Sequence, residues 1–217
     1  MKPRIVLLSM FALLCLTVAD VTATASTVYH NGPKKGNIDA WGVQGHFWIS
    51  DTFTVSTGSP TINGMSIWIW NFPTDHNPAV EVTITSQPNS GTVYFDQVIQ
   101  FSESNCYADG FGYSICQETG SWNNGPALPA GTYWVTLKNG SFPSGDAILW
   151  DQNSGVGCNS PGCPSQAENS SGTIPSETFT ILGTSGGNNG LTPKTTSLLI
   201  FGAGFVGLVG IVRHKLG

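Results

Sequence analysis

Val80-Glu81-Val82-Thr83-Ile84-Thr85 alternates apolar and polar side chains without a break. A period of two places Val80, Val82 and Ile84 on one face of a strand and Glu81, Thr83 and Thr85 on the other. The pattern predicts a strand with one face in a core and one in water. The same reading extends outward. Phe47, Ile49, Phe53 and Val55 share one parity in residues 47–55, and further strands are predicted at 66–72, 92–101, 113–116, 132–137, 147–150 and 178–182. Turn formers separate them: Thr57-Gly58-Ser59-Pro60, Gln87-Pro88-Asn89-Ser90-Gly91, and Gly/Pro/Asn clusters in 73–78, 123–131 and 138–145. No helical period is sustained between the two chain ends. About eight short strands without crossover helices predict an all-β, antiparallel β-sandwich of jelly-roll or immunoglobulin-like type.

Composition agrees. The chain has 217 residues, of which 10% are charged, against roughly a quarter in average globular chains. An apolar fraction of 40% argues against disorder. Residues 26–190 carry three basic residues (Lys34, Lys35, Lys138) against twelve acidic ones. That surplus of acid repels polyanions, so no nucleic-acid partner is expected.

The two ends read as addresses. Lys2 and Arg4 precede an apolar run at 5–16, and Ala23-Thr24-Ala25 presents small residues to a signal peptidase, so residues 1–25 are expected to be a signal peptide. At the other end, residues 184–190 have linker composition, and an uncharged apolar run fills 197–212 before Arg213-His214-Lys215. As a helix that run spans about 24 Å, close to the ~30 Å hydrocarbon core. The basic cluster would stay cytoplasmic and leave the preceding chain outside. The chain is thus expected to be exported and tethered to a membrane, with the sandwich at 26–183 outside it.

Two motifs do not carry chemistry. Gly202-Ala203-Gly204-Phe205-Val206-Gly207 matches GxGxxG but lies ten residues from the chain end, where no βαβ unit can follow. Gly183-Thr184-Ser185-Gly186-Gly187 matches GxSxG, but Asn188-Asn189-Gly190 follows instead of a helix.

The tail resembles the PEP-CTERM sorting signal of bacterial surface proteins. Pro193, Gly202, Gly204, Gly207, Arg213 and Lys215 carry that likeness, although Thr192-Pro193-Lys194 stands where Pro-Glu-Pro is expected. The middle is similar to secreted PEP-CTERM proteins at Asn31-Gly32-Pro33, Ser50-Asp51-Thr52-Phe53-Thr54-Val55, Ala130-Gly131-Thr132-Tyr133-Trp134, 149–155 and 172–183. The resemblance implies an exosortase as partner and a destination at the cell surface; it implies no chemistry.

Four cysteines follow the leader: Cys106, Cys116, Cys158 and Cys163. In an exported chain an even count reads as two disulfides. Of three possible pairings, Cys106–Cys116 and Cys158–Cys163 are favoured because each closes a short loop. No CxxC spacing supports zinc.

The sharpest candidate site is Ser66-Ile67-Trp68-Ile69-Trp70-Asn71-Phe72. Trp68, Trp70 and Phe72 share one strand face, which if open would stack on sugar rings and hold exopolysaccharide. The competing expectation is that loops cover that face, with Trp41 and Trp122 in loop-like stretches able to do so. Trp134 and Trp150 are expected in the core. Asp151 and Asn153, with Asp146 nearby, have weak calcium-ligand character, and no later acid completes a known loop. His30, His46 and His76 show no metal-ligand spacing. No cofactor is expected. The reading is an exported, non-catalytic surface or matrix protein, with a carbohydrate-binding module as alternative and a small secreted hydrolase, needing paired carboxylates in a cleft, as remote alternative.

Overall fold

The structure, a computed structural model, describes residues 25–34, 39–153 and 167–184. Among them there are thirteen strands and no helix. The predicted leader up to residue 24, the Cys158–Cys163 pair, residues 185–190 of the linker predicted at 184–190 and the tail at 191–217 lie outside the described residues, while Thr184 ends the last strand. Among the described residues no helix is long and apolar enough to cross a membrane.

The strands form two antiparallel sheets. The first has seven strands: β1 (Ser26–His30), β2 (Ala40–Gly42), β4 (Thr61–Asn71), β7 (Ser102–Ala108), β8 (Ser114–Ser121), β10 (Leu149–Asp151) and β13 (Phe179–Thr184). The second has six: β3 (Trp48–Val55), β5 (Ala79–Gln87), β6 (Ser90–Gln100), β9 (Gly131–Ser141), β11 (Ala167–Asn169) and β12 (Gly172–Ile174). Strand β4 organises the seven-stranded sheet. Along one edge it pairs β8; along the other its first part pairs β13 and its last part pairs β10. The six-stranded sheet runs β12-β11-β3-β9-β5-β6.

Alternation explains the packing. Val80, Val82 and Ile84 on β5 are fully buried, as the period-two pattern predicts, but Thr83 and Thr85 on the opposite face are buried as well rather than in water. They meet Ile49, Phe53 and Val55 of β3 and Val135 and Leu137 of β9, and face Met65, Ile67 and Ile69 of β4 across one shared core. The result is a β-sandwich.

Several side chains differ from expectation. Phe47, predicted inward with Ile49, precedes β3 and is 48% exposed. Asp51, on the parity of Ile49 and Phe53, is fully buried. Trp150 is a core residue, whereas Trp134 is only half-buried because Tyr133 and Val135 take the inward positions. Trp41 is not a loop residue: it pairs with Trp150 as part of β2. Trp122 follows β8, stacks on Phe95 at 4.6 Å and donates its indole N–H to the Ile62 carbonyl.

Candidate functional site

The predicted aromatic face is present but is not an open platform. Ile67 and Ile69 point into the core, which sends Trp68, Trp70 and Phe72 to the outer face of the seven-stranded sheet. Trp70 is nonetheless 9% exposed. Its Nε1 donates to Asp151 Oδ1 at 2.7 Å on neighbouring β10. Trp68 is half-buried, with the Lys34 ammonium 3.6 Å from its ring centre, and the same ammonium lies 3.7 Å from the Tyr107 ring. Burial pulls the Lys34 pKa below the usual lysine value, opposed by the Asp151 charge. Burial, then Asp151 and Asp109, raises the Tyr107 hydroxyl. Phe72 is 39% exposed and stacked on Tyr113.

A second aromatic set offers an opening. Trp41 of β2, with Phe47 just before β3 and Trp48 at its start, lines a cleft of about 200 Å³. Gln44, Asn169, Ser170 and Ser171 supply its polar part. The Trp41 indole N–H is buried without a hydrogen-bond partner. Flat apolar rings beside amide and hydroxyl groups are the chemistry a sugar ring requires. The sequence reading separated these residues because 41–48 and 169–171 are joined only by β11 pairing on β3.

A third cluster is sealed from solvent. Asp51, Asp151 and Glu177 are all fully buried, among Asn31, Gln152, Asn153 and Ser176. Asp51 Oδ2 accepts from Ser176 Oγ at 2.8 Å, from the Glu177 backbone N–H at 2.7 Å and from Asn31 Nδ2 at 3.3 Å. Asn153 Nδ2 donates to Ser176 Oγ at 2.9 Å. Asp151 and Asn153 of the weak calcium pair thus enter one cluster, while Asp146 is exposed in the turn after β9. Asp51 and Glu177 were missed because no sequence spacing connects them.

The cysteines on the described strands pair as expected. Cys106 and Cys116 form a disulfide between β7 and β8. Glu103 lies close to both sulfurs, the one set of three such groups within 4.8 Å among the described residues, and the bonded sulfurs leave it no thiolate to offer a metal. His76 pairs with Glu103 at 3.0 Å at the surface. No protein-family model, curated protein or solved structure matches the chain.

Proposed function

We propose that this is an exported, non-catalytic β-sandwich protein of the cell surface or extracellular matrix. In this reading signal peptidase removes the leader, and the tail at 191–217 holds the chain at the membrane or hands it to an exosortase. The observation that supports it best is the Cys106–Cys116 disulfide, which closes a hairpin in the seven-stranded sheet. Such bonds persist in oxidising compartments outside the cytoplasm. Catalysis has no comparable support. The most crowded carboxyls, on Asp51, Asp151 and Glu177, are fully buried and so withheld from a substrate. Cell fractionation tests the reading: the full chain should appear in the envelope or medium, shortened by its leader, and cytoplasmic retention would refute it.

The cleft favours a second reading, in which the exported sandwich grips exopolysaccharide. It rests on Trp41, Phe47 and Trp48 rather than on the covered Trp68 and Trp70. Affinity electrophoresis of the full chain through gels containing neutral or acidic polysaccharides tests it. Retardation that Phe47→Ala removes supports the cleft; retardation unchanged in that variant places binding elsewhere.

A further inference from the structure

We propose that the free edge of β6 pairs antiparallel with the same edge of a second copy of the chain, about a two-fold axis at Val98. β6 ends the six-stranded sheet, and among the described residues no strand lies on its outer side. It has 11 residues, whereas the other edge strands, β1, β2, β7 and β12, have three to seven. Natural sheet edges are commonly guarded by lysine, proline, charge or a bulge. β6 has no proline and no basic residue, and Asp96 is its one charge. Val93, Tyr94 and Val98 are exposed on it, Val98 to 68%.

Register decides which part of the edge is open. Phe95 pairs with Ile84 and Val93 with Thr85, which leaves Tyr94 as a bulge. The bulge guards residues 90–94, while Phe95 to Gln100 run unbroken beside β5. The Phe101 N–H donates to the Pro78 carbonyl at 2.9 Å. Alternate residues of an antiparallel ladder turn both main-chain groups to the same neighbour. In this register Phe95, Gln97 and Ile99 therefore bond to β5. Asp96, Val98 and Gln100 turn their N–H and C=O groups to the free edge.

A second copy of this edge supplies the matching array, and charge selects the centre. Centred on Val98, the pairing sets the two Val98 side chains against each other and Asp96 opposite the copy's Gln100. Apolar groups meet, and the one acid meets a side-chain amide. The two Asp96 residues then stand about 13 Å apart along the strands, beyond the screening length at physiological salt. Centred on Asp96, the two carboxylates would face each other directly, which is destabilising. Centred on Gln97, each Asp96 would face Val98, a charge against an apolar group. The contact consists of main-chain pairing over a few residues and one small apolar pair. It therefore defines a reversible dimer rather than an obligate one.

The test uses the purified full chain with detergent micelles in excess, so that the apolar run at 197–212 does not force copies together. Sedimentation velocity should show a monomer–dimer equilibrium that shifts with concentration. Val98→Lys sets two ammonium groups against each other and should weaken the association about tenfold or more, with the Tm unchanged. Val98→Cys under mild oxidation should give a dimer whose mapped bond joins position 98 of the two copies. Val93→Cys, exposed on the same strand but away from its own copy in this register, should cross-link far less. A monomer at every concentration overturns the proposal. So does a dimer that Val98→Lys leaves intact, or a position 98 that bonds to another cysteine of its own chain.

Discussion

Lys34 covers Trp68: its ammonium stands 3.6 Å from the ring centre, with Tyr107 in contact with the same charge. A lysine there covers part of an aromatic face that would otherwise be open to stack on ligands, while Phe72 on the same face stays exposed. Cation–π contacts of this kind contribute about 0.5–1 kcal/mol at partly exposed sites. Lys34→Gln should lower stability by that amount in urea denaturation and raise acrylamide quenching of tryptophan fluorescence. Lys34→Arg should leave both near the parent values. Unchanged quenching in Lys34→Gln would contradict the cover.

The two aromatic sets should part under mutation. Trp70 is buried and tied to Asp151, so Trp70→Ala should cost about 3–5 kcal/mol. Phe47 is exposed, and Phe47→Ala should stay within about 0.5 kcal/mol of the parent. Thermal melts of the two variants distinguish a structural tryptophan from a surface phenylalanine. Comparable losses in both would contradict the assignment.

Cys106 and Cys116 are ten positions apart, so their bond closes a short loop. In the chain-entropy account such a bond contributes about 2–3 kcal/mol. Cys106→Ser with Cys116→Ser should reduce stability by that amount, and reduction of the parent should do the same. Parent and double variant should coincide once reductant is present.

Glu118 gives a pH dependence with a definite sign. Burial first, and then the Glu103 charge opposite it, pushes its pKa up to about 8 from 4.5. The folded state therefore holds a proton that the unfolded chain has released between these values. Its contribution is complete below pH 4.5 and is lost as pH rises through about 8. The slope reaches at most about 1.4 kcal/mol per pH unit. Glu118→Gln should flatten the decline between pH 5 and 8 and be the more stable form at pH 9. A parallel decline in the variant would contradict this.

Alternation carried much of the fold. The clean period in 80–85 identified β5 and its inward residues, and the favoured hairpin cysteines proved to be bonded. The short strands β1, β2, β7, β11 and β12 were not legible. Three of them have only three residues, and their extended form is imposed by pairing with longer neighbours rather than by their own pattern. Phe47 misled for a related reason: it continues the parity of Ile49 but sits just outside the strand that enforces it. The aromatic strand was legible as two-sided, yet its cover came from Lys34, which no local pattern connects to Trp68. Of the buried polar cluster only Asp151 and Asn153 were legible as a pair. Asp51 and Glu177 reach them through tertiary packing, and an aspartate among apolar residues in β3 was the one local sign.

Surface labelling most directly tests the central claim, that the sandwich folds and works outside the membrane. Cells making the full chain would be treated with a membrane-impermeant amine label, then acid-quenched and mapped without reduction. The account predicts label on Lys138, which is partly exposed, and Cys106 joined to Cys116 in the same molecules. Label that appears only after lysis, with both cysteines recovered as free thiols, would contradict it.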